Sequence, residues 1–221
     1  MNLLANIRFH IADKGLARTL SIIFNRTWDR YFDWRHKTDT ISRVSLSDLE
    51  IRGGNKKHGS FYQPTMARSF KRLLKRTTLP PEPVLVDFGC GKGRVLLLAA
   101  LYGVKKAVGI EFSPELCRIA RENVRVMERA AGRPLNITVV EDDVCNYRIR
   151  AEENVFFLFN PFDDVILEAV VKNLQDSLAA NPRPVVIFYY NPVHSHVLDF
   201  HFLLTERMII GGEEYLLYRN R

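Results

Sequence analysis

Eleven consecutive residues, Val84-Leu85-Val86-Asp87-Phe88-Gly89-Cys90-Gly91-Lys92-Gly93-Arg94, hold the densest chemistry in this chain of 221 residues. An apolar stretch ends near an acid, and three glycines then alternate with other residues. Glycines at a strand-to-helix turn let backbone approach a bound molecule and adopt conformations that side chains forbid. A dinucleotide fingerprint needs Gly or Ala where Arg94 stands, and Asp87 would repel a pyrophosphate. An acid two residues before the first glycine suits a cationic ligand with an amino group better than it suits NAD. Tyr189-Tyr190-Asn191-Pro192 closes a later apolar run. Because ligands of open α/β sheets bind beyond the carboxyl ends of the strands, Tyr190 is a candidate for the substrate side of the cleft. His194 and His196 lack a third ligand nearby, so they read as a polar loop and no metal is expected. Cys90, Cys117 and Cys145 are odd in number and far apart, with no CxxC pair, which disfavours a disulfide framework or a zinc module.

From Val84 to Tyr218 the sequence resembles the class I S-adenosylmethionine-dependent methyltransferases, a likeness that implies S-adenosyl-L-methionine as cofactor. It implies that Asp87 lies near the methionine amino end, with Gly89, Gly91 and Gly93 shaping the loop beneath the cofactor. Glu111 ends Val108-Gly109-Ile110-Glu111, 22 residues after Gly89, where the family's acid accepts hydrogen bonds from both ribose hydroxyls. In Val139-Val140-Glu141-Asp142-Asp143, the likeness gives Asp143 the adenine amino group, with Asp142 as the register alternative, and lets Phe112 pack against adenine. At the end of the fourth strand, amino-methyltransferases carry Asn/Asp-Pro-Pro-Tyr/Phe, whose oxygens and ring hold the target amine in line with the methyl group. This chain has Asn160-Pro161-Phe162. One proline is missing, so Asn160 and Phe162 are expected at the catalytic position without implying a planar base amine. Upstream, Tyr31 to Thr40 and Gly59-Ser60-Phe61-Tyr62-Gln63-Pro64-Thr65 resemble a largely uncharacterised bacterial group with Asp-Thr and Tyr-x-Pro-Thr elements before the cofactor loop. That likeness implies that Tyr62 and Thr65 fold over the methionine end and exclude water.

To place these groups at one edge, the chain must build a sheet. Short apolar runs over 84–88, 106–111, 136–140, 154–159 and 184–190 predict strands buried on both faces. Helices are expected over 91–102, 114–130 and 163–180, with Ser113 as an N-cap and Pro114 in the first helical position. Residues 200–210 and 213–218, joined by Gly211-Gly212, predict an antiparallel hairpin. The expected fold is α/β: a Rossmann-like, seven-stranded methyltransferase sheet with a C-terminal antiparallel hairpin and a helical N-terminal extension. Leu79-Pro80-Pro81-Glu82-Pro83 interrupts any helix. It separates residues 1–80, expected to act as lid and substrate platform, from residues 81–221, the expected S-adenosylmethionine-binding domain.

Charge divides at the same place. Residues 1–80 carry 16 Lys/Arg against 6 Asp/Glu, whereas residues 81–221 carry 16 against 19. The composition is globular rather than disordered. The longest uncharged run, 184–198, is too short and polar to span a bilayer, and the first residues lack a secretory apolar core. A cytoplasmic enzyme is expected. The methyl acceptor could be a protein, with lysine as one candidate, or a nucleic acid meeting the basic part through its phosphates. Other possibilities are a binding module that keeps the fold and peripheral membrane contact through 16–34, which Asp13, Asp29 and Asp33 weaken.

Overall fold

The computed structural model describes residues 16–42, 63–159 and 163–220, with side chains in the first helix from Ile23 onward. The N-terminal helix α1 (Leu16–His36) and the helix α2 (Ala67–Arg76) precede the sheet. Then come β1 (Val84–Phe88), α3 (Arg94–Leu101), β2 (Lys106–Glu111), α4 (Pro114–Ala131), β3 (Ile137–Glu141) and β4 (Val155–Phe159). The chain closes with α5 (Asp164–Ala180), β5 (Val186–Tyr190), α6 (Ser195–His201), β6 (Leu203–Ile210) and β7 (Glu213–Arg219). The seven strands lie in the order β3-β2-β1-β4-β5-β7-β6. The first five are parallel, and β7 runs antiparallel to both β5 and β6.

Alternation along the strands builds two apolar layers. Leu85, Phe157, Phe188 and Leu217 face α2, α3 and α4, where Phe70, Leu73, Leu96 and Met127 are buried. Phe70 meets Phe157 edge-on at 5.3 Å between ring centroids. On the other face, Val86, Phe156, Leu158 and Tyr189 meet Ile166, Val170 and Leu174 of α5 and Val197 and Leu198 of α6. Each such side chain contributes about 1.5–3 kcal/mol on burial. The central strands β1 and β5 are buried throughout, whereas the edge strand β6 exposes five consecutive residues.

Two local expectations differ from the structure. Helix α3 starts at Arg94 rather than Gly91, because Gly93 takes a left-handed φ of 80° as its N-cap and forces a turn first. The stretch Ser195–His201 is helical, so Phe200 belongs to a helix and β6 begins three residues later than the apolar pattern suggested. Gly109, midway along β2, lets the glycine loop sit close to the sheet. A Cβ there would lie 2.5 Å from Cys90 Sγ and 2.6 Å from Leu96 Cδ1. Gly109→Ala is therefore expected to cost about 1–3 kcal/mol in urea unfolding. It should also weaken S-adenosylhomocysteine binding by pushing the Cys90 turn outward.

Candidate active site

The glycine loop leaves β1 at the carboxyl edge and is pinned by β2. The amides of Gly89 and Cys90 both donate to the carbonyl of Ile110, at 2.9 and 3.0 Å. The Glu111 carboxylate accepts from Gly91 N at 2.9 Å through Oε2 and from Ser113 N at 2.9 Å through Oε1. Burial raises its pKa, and the backbone amides of Ser113, Gly91 and Phe112 oppose the rise. Ser113 Oγ in turn caps α4 by accepting from Leu116 N. Phe112, half-buried, lies between the carboxylate and that cap.

Asp87 is 4% exposed. Among the described residues no group donates a hydrogen bond to its carboxylate. Burial and then the neighbouring Glu111 raise its pKa to about 8. Two buried carboxylates side by side, one with no donor, form a site that a cation would stabilise strongly. Beyond β3, Asp142 N donates to the carbonyl of Glu111 at 3.1 Å, which puts the third acidic turn beside the second. Asp142 Oδ1 accepts from Asp143 N, and Asp143 Oδ1 accepts from Cys145 N. Each carboxylate thus shapes its own turn.

The first helix is bolted to this loop by buried polar groups. Asp29 Oδ1 accepts from Arg94 Nη2 at 3.2 Å and from Ala67 N, the first residue of α2, at 2.9 Å. Met66 has no capping side chain of its own, so Asp29 supplies the missing cap from 38 residues away. Arg94 lies over the Phe32 ring, and its Nε and Nη1 have no hydrogen-bond partner among the described residues. One turn on, Asp33 accepts from the hydroxyls of Thr38 and Thr40 and from the amides of Thr40 and Ile41. The turn thus formed carries Asp39, whose Oδ2 accepts from Lys92 Nζ at 3.0 Å. Lys92 is 1% exposed and also donates to Ser42 Oγ. Asn123 of α4 closes the arrangement by donating to the carbonyls of both Asp39 and Lys92. Lys92 and Arg94, at two of the loop's non-glycine positions, therefore hold the N-terminal element in place.

Further along the carboxyl edge, three rings form a stack. Phe159 and Tyr190 lie 4.0 Å apart between centroids, and Tyr190 and Tyr215 lie 4.5 Å apart. Tyr190 is buried and hydrogen-bonds Glu213; desolvation and that carboxylate hold its hydroxyl far above the usual phenol range. Asp29 adds negative potential at both tyrosines. Thr65 is buried just ahead of α2. Tyr62, Asn160 and Phe162 lie outside the described residues.

Sequence patterns did not assign roles to Asp29, Asp33, Asp39, Lys92, Arg94, Asn123 or Glu213. The one available signal was Asp29, Phe32 and Asp33 at helical spacing, which places two acids on the face that carries an apolar residue.

Comparison with known proteins agrees with this geometry. Residues 85–181 match the family model described as a methyltransferase domain. A protein-lysine N-methyltransferase of Saccharolobus islandicus is 38% identical over 64 residues, covering 28% of this chain and 40% of that protein. A ribosomal protein L11 methyltransferase of Carboxydothermus hydrogenoformans is 25% identical over 144 residues, covering 60% of this chain and 42% of that protein. The chain thus spans about two-fifths of the length of these curated relatives. Among solved structures, the putative methyltransferase yhhF of Escherichia coli aligns with a TM-score of 0.53 at 17% identity, covering 70% of this chain and 85% of that one. The ribosomal protein L11 methylase of Lactobacillus delbrueckii aligns at 0.52 and 16%, covering 72% and 81%. These structural likenesses establish the fold. The donor set also fits a ligand with a cationic tail and neutral hydroxyls: buried acids at two adjacent strand ends, backed by a glycine loop. Residues 85–181 thus match a methyltransferase domain, carried on the Rossmann-like fold that solved methyltransferases share.

Proposed function

We propose that the protein transfers a methyl group from S-adenosylmethionine to an amine on a protein, with a lysine side chain as the favoured acceptor. The observation that carries the cofactor assignment is Asp87, a buried carboxylate with no donor among the described residues, beside the Glu111 clamp on the glycine loop. Asp87 would hold the methionine ammonium and Glu111 the ribose hydroxyls. Asp143, or Asp142 in the alternative register, would meet the adenine amino group, and Phe112 would pack on the ring. The Arg94 donors that have no partner among the described residues would suit the carboxylate of the same tail. When bound, the cofactor supplies an electrophilic methyl group on sulfur, so the protein's task is to orient the acceptor and keep water away. Thr65, with Tyr62, would close over the methionine end.

The acceptor assignment rests on the far end of the edge, where stacked rings meet the Glu213 carboxylate. Acids and aromatic faces attract an ammonium group and repel phosphate. Asn160 and Phe162, which follow Phe159 in the chain, would position the amine, and Tyr190 would back them. The relatives named for protein-lysine and ribosomal-protein methylation support a protein acceptor. Incubating the chain with methyl-labelled cofactor and a cell extract should place label in material destroyed by protease. Label that survives protease and is lost to nuclease would overturn the acceptor assignment. Binding of S-adenosylhomocysteine with no transfer to any fraction would make the protein a binding module. Glu213→Gln is expected to lower kcat/KM for the labelled acceptor by about 10–100-fold, the value of a charge-assisted hydrogen bond.

A further inference from the structure

Helix α1 has two faces of opposite character. Asn25, Asp29, Phe32 and Asp33 point into the protein, and both acids are nearly sealed, at 6% and 7% exposure. The outward face carries Ile23, Phe24, Trp28, Tyr31 and Trp34, all exposed, with Trp34 at 74%. Arg26, Arg30, Arg35 and Lys37 are exposed among them. From Ile23 to Lys37 that surface contains no acid, because the two acids of the segment are turned inward. Two of the three acids that weakened a membrane role at the level of sequence, Asp29 and Asp33, are therefore absent from the relevant face, and Asp13 lies outside the described residues.

The neighbouring helix extends this surface. Arg68 of α2 sits 4.5 Å from the centroid of the Phe24 ring and 5.8 Å from that of Trp28. Arg72, Lys75 and Arg76 of α2 are exposed, and α2 has no acid. The result is a convex aromatic ridge flanked by cations.

We infer that this α1–α2 face docks on an anionic phospholipid surface, inserting its aromatic ridge at headgroup level while the arginines meet lipid phosphates. Charge complementarity selects an anionic partner, and ring geometry selects between a bilayer and a single-stranded nucleic acid. Trp28 and Tyr31 lie 5.6 Å apart between centroids and Tyr31 and Trp34 5.8 Å, tilted by 47° and 37°. The rings already touch one another, which leaves no slot for a base, and a convex helix offers no groove to track a strand. A continuous ridge of Trp, Tyr and Phe edged by arginine is suited to a lipid–water interface, where amphipathic rings and basic side chains both find partners. No helix among the described residues is long and apolar enough to cross a membrane, so the contact is interfacial.

The chain reports on this face directly, because Trp28 and Trp34 are its only two tryptophans. Tryptophan emission of the full chain should shift to the blue on adding vesicles of phosphatidylglycerol and phosphatidylcholine in equal amounts. It should stay in place with phosphatidylcholine alone, and high salt should reverse the shift. Replacing Arg26 and Arg30 with Gln should weaken sedimentation with the anionic vesicles by about fivefold for each arginine removed. Unchanged emission with anionic vesicles overturns the inference. So does an equal shift with neutral vesicles, or a shift with a single-stranded oligonucleotide that anionic vesicles do not produce.

Discussion

Asp87→Ala is expected to abolish S-adenosylhomocysteine binding in titration calorimetry. In the empty protein the Asp87 carboxyl is buried, undonated among the described residues and close to Glu111, so its ionised form is disfavoured until a cation arrives. The isosteric Asp87→Asn keeps shape and polarity but removes the attraction for an ammonium group. It should weaken binding by about 100-fold or more, as expected when one member of a buried ion pair is lost. The same variant should unfold at or above the wild-type temperature when empty, which distinguishes a lost ligand contact from a lost fold.

The sign of the pH dependence follows from the raised pKa. Asp87 moves from the ordinary 3.8 to about 8 on folding. The folded protein therefore holds a proton that the unfolded chain has already released. Stability of the empty protein should decline as pH rises from about 4 to about 8, and Asp87→Asn should flatten that decline. A cation beside the carboxylate reverses the preference. The thermal shift given by S-adenosylhomocysteine should accordingly grow across the same window. A shift that is flat with pH in the wild type would contradict the placement of Asp87 at the ammonium.

Asp29→Ala should be the most destabilising change in the N-terminal part. It strands the buried Arg94 guanidinium and uncaps α2 at once, because Asp29 Oδ1 accepts from both. Removing one partner of a buried pair costs about 3–5 kcal/mol. The loss should appear as a lower urea midpoint with an unchanged m-value. Asp29→Asn retains an oxygen that can accept from Ala67 N and should lose less. Equal, small losses in both variants would show that Asp29 does not fasten the helix.

The strand, glycine turn and helix that carry the proposed cofactor residues were legible in the sequence because they are local. A strand, a glycine turn and a helix within eleven residues specify their own geometry, and Glu111 ends the next strand in register. The hairpin 203–219 was legible from its Gly-Gly turn and its alternating sides. Helix α6 was not. Its seven residues offer no capping side chain, and the structure forms it because Val197 and Leu198 complete the layer against α5. The partners of Arg94 and Lys92 were equally hidden, since Asp29 and Asp39 lie 65 and 53 residues earlier in the chain. A charge on an amphipathic helix is ordinarily assigned to solvent. Only tertiary packing shows that Asp29 and Asp33 turn inward, which in turn strips every acid from the outward face of α1 between Ile23 and Lys37.

Helix α1 is thus one rigid body with two loads. Its inner side is fastened to Arg94 through Asp29, the turn that follows it reaches Lys92 and Asn123 through Asp39, and its outer side presents the aromatic ridge. If filling the cofactor site shifts the loop, these contacts would carry the shift to the ridge, and the reverse would hold by thermodynamic reciprocity. A lipid surface that improves cofactor affinity by some factor would have its own affinity improved by the cofactor by that same factor. Two measurements made at opposite ends of one helix would then return a single coupling constant.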